Sequence, residues 1–393
     1  MGILAEAFPV EIVREAIESC GRLEKRQRLL PAQTVVYFVL AMCLFPQLGY
    51  TDVMRLVTPS RIVMSEKRRP PPAPTTAAIG RARLRLGPEP LKELFHRLCR
   101  PAPGTCDGDV YRGRHIAVLD AINVDLPGSA ANLRHFGPHP QAGGASVRSQ
   151  ARVTVLSEVR AHGVFEVETG PAAAALSETA LRLLPKAPPG GLVLTDWRFI
   201  HHDCRHAVTE GTDLLWRDKG MLGLQPLEVM PDGSYLARLP LPSGGREPGR
   251  EAHVRVIRYA EPPGWRDRPH SCTSPTARDP ECRCAPSIRR LLTTIADPDD
   301  APADELVELY VRHQQTRPAM AEILSPYGAP PVLRSQHPEG VVQEVFALLC
   351  VHYALCRLIH QVPGSEPGPL LATLPPQGPS PPPVGLDRPP GPE

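Results

Sequence analysis

The sequence predicts an α/β core that follows an all-helical region and is interrupted by an all-β stretch. Apolar residues recur at a spacing of three to four through the first hundred positions, the helical period. From residue 114 that period gives way to β-branched runs punctuated by Gly and Pro, the mark of strands. The longest apolar run, Thr34 to Phe45, is about a dozen residues where a bilayer span needs roughly 20, so it reads as a buried core helix.

In the helical region Val10, Ile12, Val13, Ala16 and Ile17 form one helix face, a second helix follows Pro31, and Thr51 to Leu56 adds a short amphipathic piece. Pro70 to Pro74 break the chain. Thr75 and Thr76 can then cap a helix over Ala77 to Leu86, and another starts between Pro88 and Cys99, making a helix-turn-helix-like pair with arginines at 81, 83 and 85. Strands are expected at His115 to Leu126, Ala151 to Val159 and Gly163 to Glu168, then a helix at Ser177 to Leu184 and a strand at Gly191 to Thr195. Asp213 to Trp216 follows, with paired strands around the Pro231-Asp-Gly turn and at His253 to Tyr259 as an all-β insertion. Arg290 to Ile295 reads as a strand, Asp304 to Gln315 as a helix, and Val341 to Ile359 as a long apolar helix. Residues 363–393 hold twelve prolines and read as a disordered or polyproline-like tail.

Composition bounds the class without naming it. In 393 residues, 42% apolar content suffices for a real core, and 5% aromatic residues argues against a β-propeller or a carbohydrate-type surface. The formal charge of +2 is a mean over unlike parts. Residues 1–60 balance at six basic and six acidic, whereas residues 61–100 hold ten basic against three acidic. That local excess of seven reads equally as a solvated basic face and as a candidate DNA-contacting arm. The ten cysteines are scattered and Met1-Gly-Ile-Leu-Ala-Glu lacks a basic leader, so a reducing cytoplasm is expected, and the shortness of the Thr34 run predicts no membrane segment.

Two acids carry the chemistry. Asp120 interrupts the apolar run Val-Leu-Asp-Ala-Ile-Asn-Val-Asp, and Asp196 closes Leu192-Val-Leu-Thr, where α/β sheets present functional groups. A carboxylate in a buried strand is costly unless paired or metal-bound. Either acid alone reads as a capping or salt-bridged aspartate, whereas a pair on neighbouring strands reads as a Mg²⁺ or Mn²⁺ site for phosphodiester chemistry.

The order Asp120, strands, helix, Asp196-x-x-Phe199, Leu215-Trp216-Arg217, β insertion, Arg290-Leu-Leu-Thr-Thr-Ile-Ala-Asp-Pro and Glu308-Leu-Tyr310 resembles the DDE transposases of bacterial insertion sequences, in particular the group numbered four. The resemblance runs from about Phe8 to about His360 and includes Leu30-Pro-Ala, Gly87-Pro-Glu-Pro-Leu, Ala130-Ala-Asn132 and Leu333-Arg-Ser335. It implies an RNase H-like core with an N-terminal helical DNA-binding domain over 1–105, core segments at 106–218 and 289–362 with C-terminal helices in the latter, and a β insertion at 219–288. It further implies metal-dependent cleavage and joining of double-stranded DNA at terminal inverted repeats, by a homodimer on DNA, with Asp120 and Asp196 as metal-holding acids.

The family's third acid lies in Tyr-x2-Arg-x3-Glu-x6-Lys, a spacing that puts Tyr, Arg and Glu on one helix face. Tyr310 matches, but His313 stands at the Arg position, Arg317 at the Glu position and Leu324 at the Lys position. Pro318 follows at once, and a helix-interior proline costs roughly 3 kcal/mol. A guanidinium cannot be deprotonated, so metal should bind weakly if at all. Glu322 is a candidate substitute acid. The alternative reading is a catalytically inactive, transposase-derived DNA-binding protein.

His270, Cys272, Cys282 and Cys284 lie within 15 residues, but a C-x-C pair strains a tetrahedral site, so an unstructured insert is expected and zinc is not. His201, His202, Cys204 and His206 read as a solvated helix start. Arg148, Arg152, Arg198, Arg205 and Arg217 are candidates for phosphates of a DNA end, with Arg81, Arg83 and Arg85 in the arm.

Overall fold

The computed structural model describes residues 6–26, 28–58, 74–99, 110–139, 148–158, 163–199, 211–218, 223–239, 252–260, 288–316 and 333–360. Outside them lie residues 59–73, with the start of the basic arm, the histidine–cysteine run at 201–206, which includes Arg205, the stretch at 261–287, Arg317, Pro318, Glu322, Leu324 and the proline-rich tail.

Helices α1 (Val10–Ser19), α2 (Ala32–Leu44), α3 (Tyr50–Val57), α4 (Thr76–Leu86) and α5 (Glu89–Leu98) form the N-terminal cluster. Helix α4 starts where its cap residue predicts, because the Thr75 hydroxyl oxygen accepts from the Ala78 N–H at 3.2 Å. Helix α1 stops at a Schellman turn: Gly21, at φ +64°, donates to the Glu18 carbonyl and Arg22 donates to that of Ile17. Helix α2 is apolar on all sides because it is enclosed on all sides, with Val36, Phe38, Val39 and Leu40 at 1% exposure or less. No helix among the described residues is long and apolar enough to cross a membrane.

The sheet comprises β1 (Val110–Tyr111), β2 (Arg114–Leu126), β3 (Ser149–Glu158), β4 (Val164–Pro171), β5 (Leu192–Asp196), β6 (Asp213–Asp218), β7 (Pro226–Val229), β8 (Tyr235–Leu239), β9 (Ala252–Ala260) and β10 (Ile288–Thr293). Its order is β4-β3-β2-β5-β6-β10-β9-β8-β7, with β1 on β2. Strands β2, β5 and β6 run parallel and the remaining pairings are antiparallel, a mixed sheet. Helix α6 (Ala130–Phe136) follows β2, α7 (Leu176–Leu183) precedes β5, α8 (Ala303–Thr316) follows β10, and α9 (Pro338–His360) comes last.

Two features go beyond the sequence expectations. The described strands of the insertion, β7 to β9, continue the core sheet at one edge, because β9 pairs with β10 from Ile288↔Ala260 to Thr293↔Arg255. Helix α9, expected within the last part of the core, shares its main apolar cluster with the N-terminal helices. Val345, Phe346 and Leu349 pack there with Phe38, Val39 and Phe95, and the cluster reaches Val124, Val153 and Val155 of the sheet. The Phe95 and Phe346 rings meet edge to face at 5.4 Å.

Alternation along the strands builds two further clusters. Leu119, Leu156, Val193 and Trp216 pack under α7, on Ala180 and Leu183. Ile116, Val118, Leu194, Leu215 and Leu291 pack under α8, on Leu306 and Tyr310.

Candidate functional site

Asp120 and Asp196 meet because their strands are adjacent and parallel. Strands β2 and β5 pair at Ile116↔Leu192, Ala117↔Val193 and Val118↔Leu194, so two residues further on the acids stand level. The Thr195 hydroxyl donates to the Leu119 carbonyl at 3.0 Å, holding the strands together one position before the acids. Asp120 and Asp196 continue the alternate row Ile116, Val118 and Leu192, Leu194, so both side chains emerge on the face that α8 covers. Both are buried, at 9% and 6% exposure. Arg217, half-buried on β6, pairs with Asp196 in register and extends the row across a third strand.

Local hydrogen bonds make two buried carboxylates tolerable. Asp120 Oδ1 accepts from the Ala121 N–H at 2.8 Å. Asp196 Oδ1 accepts from the Arg198 N–H at 3.2 Å, an Asx-type turn, and from Arg198 Nε at 3.4 Å. The turn also aims Phe199, fully buried, into the cluster under α7, which accounts for the Asp-x-x-Phe spacing.

Helix α8 brings the third component. The buried Tyr310 hydroxyl donates to the Thr195 carbonyl at 3.0 Å, next to Asp196. His313, one turn on and 7% exposed, lies with its ring 6.5 Å from that of Tyr310. The Tyr-x2-His face is therefore laid onto the acid-bearing end of the sheet, and its next member, Arg317, falls outside the described residues. The start of α8 is anchored by the insertion: Asp232 Oδ2 accepts from the Ala303 N–H at 3.2 Å. Arg255, with no exposed surface, reaches Asp232, the Ser234 hydroxyl at 2.7 Å and the Ala301 carbonyl at 2.6 Å. Burial raises the Asp232 carboxyl, and the Ser234 hydrogen bonds and Arg255 outweigh it, leaving the pKa below the usual carboxylate value.

Residues 1–96 match the family model described as Insertion element 4 transposase N-terminal. The first quarter of the chain is thus similar to the N-terminal region of these transposases. The resemblance read from the residues thus holds over that stretch. No curated protein matches the chain. Among solved structures it is similar to the cryo-EM structure of a piggyBac transposase synaptic complex with hairpin DNA, at 11% identity and a TM-score of 0.47, over 91% of this chain and 75% of that one.

Within the matched N-terminal region the three arginines of α4 part company. Arg81 is exposed. Arg83 is removed from the DNA-facing set, because it is 4% exposed and fully engaged inside the protein. It pairs with Glu344 of α9 at 3.0 Å and donates to Tyr50 Oη at 2.7 Å, Ser335 Oγ at 2.7 Å, Gln343 Oε1 at 3.2 Å and the Gly340 carbonyl at 3.1 Å. Arg85 donates to the Leu30 carbonyl at 2.8 Å and lies 3.7 Å from Glu24. The motif residues Asn132 and Ser335 meet at the same seam, where the fully buried Asn132 Nδ2 donates to the Ser335 carbonyl at 2.9 Å.

Arg148 is exposed, its guanidinium 4.0 Å from Asp125. Arg152 is half-buried, and burial together with the charge of Arg198 pushes its pKa down. Arg152 Nε donates to Asn123 Oδ1 at 3.2 Å and its Nη1 to the Ala174 carbonyl at 2.5 Å. Among the described residues no three His, Cys, Asp or Glu side chains come together as a metal-ligand group. Asp120 and Asp196 offer a hard-oxygen pair suited to a divalent cation, but they form half a site.

Proposed function

We propose that the chain is an insertion-sequence transposase of RNase H-like, DDE type that binds double-stranded element ends, with its cleavage and strand-transfer chemistry impaired at the third acid. The observation that carries the reading is Asp120 beside Asp196 on one sheet face beneath Tyr310. Together with the transposase N-terminal domain, that arrangement supports DNA-end chemistry over an incidental pair of salt-bridged acids.

The two carboxylates would hold Mg²⁺ or Mn²⁺. When bound, such ions activate water or a hydroxyl and stabilise the leaving oxygen of a phosphodiester. Asp196 is oriented by the Arg198 turn and, through the Thr195 carbonyl, by Tyr310. Arg198 supplies positive charge beside Asp196, and Arg152 and Arg148 supply it on β3 and at its start. The deficit is one of charge: two aspartates face ions of charge two each, and the sequence offers Arg317 where a glutamate is needed. The Arg198 guanidinium on Asp196 Oδ1 further lowers the pair's demand for a cation. That contact favours the second reading, an inactive DNA-binding protein acting as a homodimer at terminal repeats.

The test is incubation of the purified protein with matched element ends in Mg²⁺ or Mn²⁺. Salt-dependent binding with little cleavage is expected. Robust cleavage abolished by Asp120→Ala overturns the impairment, and absence of duplex binding at low salt overturns the DNA reading.

A further inference from the structure

Between α1 and α2 the chain forms an irregular loop that walls one side of a cleft of about 440 Å³, with α4 forming the other side. Five cations line it, Arg22, Lys25, Arg26, Arg28 and Arg85, against one carboxylate, Glu24. The balanced count over residues 1–60 conceals this cluster, because four of the six cations there fall within Arg22 to Arg28 while five of the six acids lie outside that stretch, three of them on α1.

The nearby acids are already committed. Glu24 accepts from the Ala32 N–H through both carboxylate oxygens, each at 3.0 Å, and so caps the start of α2. Glu89 lies 3.4 Å from Arg22, whose other amine donates to the Arg85 carbonyl at 3.4 Å. Arg85 ties the loop to α4 through the Leu30 carbonyl. These contacts hold the walls and consume Arg22 and Arg85. Lys25, Arg26 and Arg28 remain exposed, with no ion pair to them among the described residues. Like charges held together cost free energy unless an anion is shared between them. Arg81, exposed and one turn before Arg85 on the same face of α4, lengthens the cationic strip beyond the cleft.

We propose that this cleft and strip form the phosphate-gripping surface of the N-terminal domain, taking successive backbone phosphates of duplex DNA. The assignment rests on the DNA reading above and moves its N-terminal contact from Arg83 to Lys25, Arg26 and Arg28. A strip longer than one anion favours a polyanion over a free phosphate ion. Backbone contacts carry no sequence information, so a duplex of arbitrary sequence serves as the probe.

The experiment is fluorescence anisotropy of a labelled duplex across a salt series. It compares the wild-type chain, the triple variant Lys25→Ala/Arg26→Ala/Arg28→Ala, and a control triple, Arg55→Ala/Arg182→Ala/Arg312→Ala, drawn from exposed surface ion pairs. Circular dichroism checks that all three are folded. Each lost phosphate contact lowers the slope of log affinity against log salt by about 0.9, so the cleft variant's slope should fall by about 2.7. Between about 50 and 200 mM salt its affinity should then decline roughly forty-fold less than wild type. The control slope should be unchanged, and inorganic phosphate should compete no better than its ionic strength dictates. An unchanged slope in the cleft variant, an equal fall in the control, or strong competition by inorganic phosphate overturns the cleft assignment while leaving DNA binding intact. A wild-type chain with no salt-dependent binding overturns both.

Discussion

Arg83 offers the sharpest discrimination between a DNA-facing cation and a structural one. Its guanidinium and the Glu344 carboxylate are 5% and 3% exposed, and it makes polar contacts to α3, the segment before α9, and α9 itself. Arg83→Met removes the guanidinium but leaves Glu344 buried, with only the Ser335 hydroxyl and the Arg334 N–H to satisfy it. Breaking a buried pair by deleting one partner costs about 3–5 kcal/mol, a large share of a stability of about 5–15 kcal/mol. Replacing both partners by apolar residues is much milder, so Arg83→Met/Glu344→Met should cost less than Arg83→Met alone. Urea denaturation followed by circular dichroism measures both, and the double-mutant cycle isolates the coupling. An Arg83→Met loss below about 1 kcal/mol, accompanied by a reduced salt slope of DNA binding, refutes the burial argument and returns Arg83 to the DNA surface.

Tyr310→Phe should leave the fold intact and cost about 0.5–1.5 kcal/mol in urea denaturation, more if the Thr195 carbonyl is left unsatisfied. Thr75→Ala should cost about 1 kcal/mol by loss of the α4 cap, measured the same way. The Asp232 carboxyl is held below its ordinary value, so its contribution to stability is complete above the unfolded carboxylate pKa of about 4 and is lost as the pH falls through the lower folded value. Asp232→Asn should therefore be less stable than wild type at neutral pH and lose less on acidification, as thermal melts across pH 2–6, roughly the range in which carboxylates titrate, would show.

The acid pair was visible in the sequence because an aspartate inside an apolar run stands out against its strand, as Asp120 and Asp196 both do. Most strand and helix positions were legible from period, though the short α6 and β1 were not, and the Thr75 cap was legible from its residue type. Arg83 was not, since a guanidinium followed by charged neighbours looks solvated until Glu344 is seen, and that partner lies 261 positions away. That the insertion's strands continue the core sheet was not legible, because pairing between β9 and β10 is set by register across sequence-distant strands, which no local period reports. The cationic loop was missed for the opposite reason: its charges were counted with those of α1, and only the fold separates them.

The placement of α9 has a temporal consequence. The N-terminal helices end at Leu98, yet their hydrophobic neighbours Val345, Phe346 and Leu349 are synthesised only some 240 residues later. At the usual pace of translation, about 5–20 residues per second, the nascent helices wait on the order of 12–50 seconds with their apolar faces incompletely covered. Any DNA-binding surface that depends on their packing is thus assembled only after the whole sheet has been synthesised.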